Sequence, residues 1–238
     1  MIGTLYCGEA DFQLSKNSLK AQNVKNYEHI IFKNLPQNLA HYKLYRKFMN
    51  SEYKYLVKLD ADMSFMNTDS LSTMIYYIEF YKKYRVTFMV HDAITDSLIN
   101  GIHVYSKNVE WDLKKIKHES IYPDRLDNLQ SVKMKKKYCL TLDFPIAYHC
   151  KYANELQFFK FAYTRFLKKG KLQLQESIKV HLNNVSDNTL SAMRGIVAAH
   201  KENDFDLKNL EKYYYKYKNE SVNMDYIYSL INKMGIVE

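Results

Sequence analysis

Residues 53–65 read YKYLVKLDADMSF, an apolar run of strand character that ends in two aspartates one residue apart, Asp60 and Asp62. Carboxylates this close repel each other, so their place at a strand end needs a cause. One cause is a hard divalent cation. Two carboxylate oxygens suit Mn2+ or Mg2+, whose other positions go to water and substrate phosphates. A second is covalent chemistry, with the first aspartate as the nucleophile of a phosphatase; that arrangement usually follows a first strand, and here it follows the third. A calcium loop is excluded, because positions six and twelve counted from Asp60 hold Phe65 and Leu71 instead of Gly and Glu. Two solvated aspartates in a strand-to-helix turn are the plain alternative, since Asp favours turns and caps. If repulsion dominates, removing one carboxylate from the metal-free chain raises its melting temperature.

The elements around the pair follow from periodicity. IGTLYC, EHIIF and YKYLVKL read as strands, and VTFMVH, GIHVYS and YCLTLDF as three more. Between the first of these lie helical segments. One carries Phe12, Leu14, Leu19 and Ala21. The next starts near Pro36, with Ala40, Leu44 and Phe48 on one face. The third follows NTDS (67–70) with Leu71, Met74, Ile75 and Ile78. Strand and helix alternate through about residue 150, which predicts an α/β fold: a mostly parallel central sheet with helices on both faces, Rossmann-like. In such sheets ligands bind at the carboxyl ends of the strands, where Asp60 and Asp62 lie. From 151 the pattern turns helical. Tyr152, Leu156, Phe159, Tyr163 and Phe166 share a face, Gly170 ends that segment, and further helices are expected near 187–201, 206–218 and 222–234. The expected division is a domain at 1–170 and a helical C-terminal segment at 171–238.

Composition narrows the classes. The chain has 238 residues with 47% hydrophobic content, enough for a sizeable core. Six Gly and three Pro leave no long flexible linker, and the 22 Tyr follow a general compositional bias. The net charge of +9 clusters at KMKKKY (133–138) and across 160–171. It suits an anionic partner or plain solubility. No nucleic-acid-binding motif accompanies it, so no nucleic acid is expected. Cys7, Cys139 and Cys150 have no CxxC spacing, hence neither a disulfide framework nor a thiolate zinc site is expected, and a reducing, cytoplasmic location fits. The N-terminus lacks a signal-peptide pattern, and no run is long enough to span a bilayer.

TLYCGEADFQLSKNSLKAQ, HIIFKNLPQNLAHYKLYRKFM and YLVKLDADM together resemble the front half of A-type (GT-A) glycosyltransferases, especially bacterial family-2-like ones. The resemblance runs through VHDAITDSLINGIHVYS and into FPIAYHCKYANELQFFKFAYTRFLKK, covering about residues 1–169. It implies a D-x-D motif holding a divalent cation, Mn2+ or Mg2+, on the diphosphate of a nucleotide sugar. Asp62 would ligate the ion directly, and Asp60 would contact the ribose or a metal-bound water. His149, just past the sixth apolar run, is the implied third ligand, with His91 and His103 as competitors. Thr4, Tyr6 and Glu9 would lie at the nucleotide base, although Tyr6 also suits the core and Glu9 a helix cap. Asp92 and Asp96 are candidates for the general base that inverting transfer requires. Asn100-Gly101 reads as a tight turn, which in the resembled enzymes approaches the donor sugar.

The function implied is transfer of a sugar, from a UDP-sugar, to a saccharide or lipid-linked saccharide acceptor. The setting implied is bacterial capsule or lipopolysaccharide synthesis, at the cytoplasmic face of the inner membrane. The basic aromatic helix at 151–169 could touch an anionic membrane there, or its aromatic stripe is core and its lysines are the solvated face. Other classes stay open: a metal-dependent phosphatase or nucleotidyltransferase using the same aspartates, or a non-catalytic basic binding module.

Overall fold

A computed structural model describes residues 1–118, 136–204 and 206–234. Residues 133–135 of the basic KMKKKY run lie outside the described residues. The chain forms two compact units: Met1–Asp92 with Leu98–Lys151, and Ala93–Ser97 with the chain from Tyr152 onward. The helix that begins at Glu155 therefore groups with the later helices, ahead of the boundary at 170 read from the sequence.

Among the described residues the first unit is built on seven strands: β1 (Ile2–Tyr6), β2 (His29–Lys33), β3 (Tyr55–Lys58), β4 (Met63–Phe65), β5 (Arg85–Asp92), β6 (Ser97–Ser106) and β7 (Cys139–His149). Their order is β2-β1-β3-β6-β5-β7-β4. β1 pairs in parallel with β2 and β3, and β5 with β7. β6 runs antiparallel to β3, and β4 antiparallel to β7. The α/β class expected from the sequence is the class observed, with a mixed sheet. The reversal at β6 has a simple origin. Only four residues, 93–96, separate it from β5, and a parallel return needs a crossover of about a dozen residues or more.

Strand alternation sends successive side chains to opposite faces. Val57 and Val104 join one apolar cluster with Leu19 of α1 (Phe12–Lys20) and Leu71, Met74 and Ile78 of α3 (Ser70–Phe80). Their neighbours Leu56 and Tyr105 join another with Leu44, Tyr45 and Phe48 of α2 (Gln37–Met49) and Ile116 of α4 (Leu113–His118). Helices thus cover both faces.

β4 was not anticipated. It has three residues, too few to register as a periodic run. β3 and β4 stand third and seventh in the sheet, yet only residues 59–62 join them. Four strand spacings come to about 19 Å in a flat sheet, whereas five Cα steps reach at most about 18 Å. The reach is shorter still because Met63 N donates to Asp60 O at 3.0 Å, closing a turn. The sheet therefore curls, and the D-x-D segment links its third strand to its edge.

Asn100-Gly101 is not a tight turn. Both residues lie within β6, and the turn falls at 93–96. The glycine answers a packing need instead: a Cβ there would meet both Val90 methyls at 2.5 Å.

The second unit is helical: α5 (Glu155–Leu167), α6 (Lys171–Asn183), α7 (Asp187–Glu202), α8 (Leu210–Tyr217) and α9 (Met224–Lys233). α6 is an addition to the sequence reading, with Gly170 at its N-cap. Capping boxes start α5 at Asn154 and Gln157, and α7 at Ser186 and Thr189. The stripe of α5 is core at Phe159 and Tyr163, which pack with Ala198, Ala199, Leu210, Tyr213 and Tyr217, whereas Tyr152 precedes the helix and is exposed. Among the described residues no helix is long and apolar enough to cross a membrane. α5 and α7 approach closely at Gly195, where a Cβ would stand 2.5 Å from the Phe159 carbonyl oxygen. Backbone cannot yield as a side chain does, so Gly195→Ala is expected to lower stability by about 1–3 kcal/mol. Chemical denaturation measures this, and an unchanged midpoint would refute the close approach.

Candidate metal centre

The site assembles by register. β5 and β7 are parallel with Asp92 opposite His149 at their carboxyl ends. β4 runs back along β7 with Met63 opposite His149, which sets Asp62 beside that end. Cys150 N donates to the Asp62 carbonyl at 2.9 Å, extending the ladder by one step. Residues far apart in sequence are thereby fixed by backbone pairing alone.

The side chains converge accordingly. His149 Nε2 stands 3.4 Å from Asp62 Oδ2, and its Nδ1 donates to Asp92 Oδ1 at 2.6 Å. The Cys150 thiol points at both, with Sγ 3.7 Å from Asp62 Oδ2 and 3.6 Å from His149 Nε2. One ligand atom each from Asp62, His149 and Cys150 lie within 4.8 Å of one another, a donor set that can hold a metal ion. The three cysteines are free thiols, and Cys150 is the buried one.

The titration of the group follows from this packing. Burial opposes charge on His149, but hydrogen bonds to Asp62 and Asp92 outweigh it and hold the imidazole well above its ordinary value of 6.5. Burial likewise opposes charge on Asp62, and the His149 contact outweighs it, leaving the carboxyl below its ordinary range. Burial pushes the Cys150 thiol up to about 11.

Asp60 is placed differently from Asp62. Its Oδ1 accepts from Lys58 Nζ at 2.7 Å, and that lysine is itself 7% exposed. The repulsion between the two aspartates is thus answered by the chain's own cations, Lys58 on one and His149 on the other. Relief of repulsion is consequently not what removing Asp62 would bring; it would remove the partner of a charged imidazole.

Other expected site residues scatter. Glu9 lies near the pair: burial raises its carboxyl, and Asp62 and Asp60 add to the rise. Its Oε2 also accepts from Cys7 N at 2.7 Å. Tyr6 is half-buried and stacks on Phe12 at 4.3 Å. Thr4 is fully buried and shares a hydrogen bond with His29 Nε2 at 3.0 Å. With Lys58 opposite His103, the earlier residues Asn100 and Gly101 lie toward the carboxyl end of β3. Asp96 is an exposed turn residue at φ 46°, a left-handed conformation that Asp tolerates better than most, and it groups with the second unit. His91 stands beside Tyr148 and His103 bonds Thr87 Oγ1 at 2.9 Å, so neither belongs to the triad.

Sequence reasoning missed Lys58 and Cys150. The lysine interrupts an apolar strand two residues before Asp60, and the cysteine follows His149 directly; both signals were legible only in hindsight of the pairing.

No protein-family model and no curated protein matches the chain. Among solved structures it is similar to the mannosyltransferase PcManGT from Pyrobaculum calidifontis in complex with GDP-Man and Mn2+ (TM-score 0.45, 8% identity, 97% of this chain and 78% of that one). It is also similar to S. aureus TarS 1-349 (TM-score 0.42, 13% identity, 87% and 73%). A third is a glycosyltransferase involved in glycosylation of the major capsid of PBCV-1 (TM-score 0.38, 11% identity, 64% and 94%).

Proposed function

We propose that the chain is a metal-dependent glycosyltransferase that moves a sugar from a nucleotide diphosphate sugar, a UDP-sugar, to an acceptor hydroxyl. The observation that carries the reading is the meeting of Asp62 and His149 at the strand ends, with Asp92 behind the imidazole. The resemblance of the D-x-D segment to A-type enzymes supports it. The chemistry that a divalent cation supplies when bound there is Lewis-acid stabilisation of the leaving diphosphate. The chain's own residues do the rest. Asp62 and His149 provide the ligand atoms. Asp92, 1% exposed, orients His149 and fixes its tautomer; this positioning role replaces the general-base role expected for it, since so buried a carboxylate does not meet an acceptor. Asp60, held by Lys58, faces the ribose, Tyr6 and Glu9 border the base, and Asn100 and Gly101 border the donor sugar. The acceptor class is a saccharide or lipid-linked saccharide, as in bacterial surface polysaccharide synthesis.

The test is release of UDP from UDP-sugars on addition of acceptor, with Mn2+ and with chelator. A ligand present at a hundred times its Kd adds about 2.7 kcal/mol of stability, so UDP with Mn2+ is expected to raise the melting temperature clearly more than UDP with chelator. Equal stabilisation in both arms counts against a shared site. Stabilisation by GDP alone changes the base, and release of inorganic phosphate in place of the nucleoside diphosphate makes the protein a phosphatase.

A further inference from the structure

We propose that Cys150 is a thiolate ligand of the cation held by Asp62 and His149, and that this Asp–His–Cys triad selects a zinc-like ion with a fourth position open to a diphosphate oxygen. The inference rests on the metal reading of Asp62 and His149 and changes the identity of both ligand set and ion.

The distances carry it. Zinc binds sulfur at about 2.3 Å, imidazole nitrogen at about 2.0–2.1 Å and carboxylate oxygen at about 2.0–2.2 Å, at tetrahedral angles. A tetrahedron with those bonds has O–N edges of about 3.4 Å and edges from sulfur of about 3.6 Å. The triad shows 3.4 Å between Asp62 Oδ2 and His149 Nε2, and 3.7 and 3.6 Å from Cys150 Sγ to each. An octahedral magnesium shell, with bonds of about 2.0–2.1 Å, needs neighbouring oxygens only about 2.9 Å apart, which the triad exceeds on every edge.

Three further features point the same way. The Asp92 carboxylate at 2.6 Å from Nδ1 leaves Nε2 to face the cluster, the arrangement by which metal-binding histidines are held in one tautomer. Cys150 sits at φ 52°, an uncommon conformation for a residue with a side chain and one that concentrates at functional sites. Asp60 is engaged by Lys58, so a thiolate takes the ligand place that a second aspartate was expected to fill. Thiolate and imidazole together favour zinc over magnesium. Binding releases the Cys150 thiol proton and, where His149 is protonated, its Nε2 proton to solvent.

Cobalt is the probe, because a four-coordinate Co2+ thiolate absorbs in the near ultraviolet by charge transfer and strongly in the visible. Metal-free protein is titrated with Co2+ as wild type, as Cys150→Ser, and as a Cys7→Ser/Cys139→Ser double variant in which Cys150 is the sole thiol. Both bands are expected at one equivalent in the wild type and the double variant, with the charge-transfer band lost in Cys150→Ser. One equivalent of Zn2+ is expected to bleach them, while about a hundredfold excess of Mg2+ is not. Co2+ bound to the double variant without a charge-transfer band overturns the thiolate and leaves Asp62 and His149 as ligands. Displacement by Mg2+ overturns the ion selection. Failure of both the wild type and the double variant to bind Co2+ overturns the metal reading as well. The double variant keeps the test decisive if Cys150→Ser does not fold.

Discussion

Asp62→Ala is expected to lower kcat/KM for the proposed sugar transfer by at least about a thousandfold and to leave the protein folded. The size follows from what is lost. Lewis-acid stabilisation of a leaving diphosphate is worth several kcal/mol, and about 1.4 kcal/mol is a tenfold rate change. Asp62 occupies a turn closed by backbone, Met63 N to Asp60 O, and Cys150 N bonds its carbonyl. Removing the side chain therefore leaves the link between β3 and β4 in place. In the metal-free protein the variant is expected to melt at a lower temperature than the wild type, because His149 loses one of its two carboxylate partners. That loss depends on pH with a definite sign. The raised His149 value contributes stability that is complete below 6.5 and fades as pH rises through the folded value. The lowered Asp62 value contributes stability above its ordinary 3.8 that is lost as pH falls. The difference in melting temperature between wild type and variant is thus largest between those two values and shrinks toward alkaline pH. Undiminished transfer by a folded Asp62→Ala protein would remove the central assignment.

Asp92→Asn is expected to weaken metal affinity by about 10–100-fold, the usual loss when the group that orients a metal-binding imidazole is changed. The amide keeps shape and can still meet Nδ1, but it no longer fixes the ring or offsets its charge. Without metal, His149 is held protonated by Asp62 and Asp92 to a pH above its ordinary range, so binding a cation must displace that proton. Metal affinity of the wild type consequently rises with pH through the folded His149 value. In Asp92→Asn one of the two supports for the imidazolium is gone, so the rise is expected at lower pH. Calorimetric titration in buffers of different ionisation enthalpy reports both the affinity and the protons released. A pH profile identical to wild type would mean that Asp92 does not act through His149. His149→Ala should abolish tight binding, while His91→Ala and His103→Ala, which sit on Tyr148 and Thr87, should change it little.

The parts legible in the sequence were those carried by local pattern. The strand from Tyr55, the three helical faces at Leu19, Leu44 and Leu71, and the aspartates at a strand end all follow from the spacing of apolar residues within one window. The parts that were not legible depend on partners outside the window. β4 is too short to show a period, and the antiparallel turn at 93–96 competes with the stronger-looking Asn100-Gly101 pair. That pair is instead an exposed asparagine next to a glycine pressed on Val90. Asp92 looked like a loop carboxylate free to act on substrate; it became a buried support because β5 runs two residues further than its apolar run and pairs with β7.

The sequence by itself determined an α/β chain with a helical C-terminal part, and it marked Asp60, Asp62 and His149 as residues with ligand chemistry. Only the tertiary structure decided which of them act together. Apolar periodicity is written in neighbouring residues, whereas a ligand set is written in strand register, and register couples positions that no local pattern relates. The pairing of Met63 and Asp92 with His149 separated Asp62 from Asp60, gave one aspartate to His149 and the other to Lys58, and brought Cys150 to the cluster.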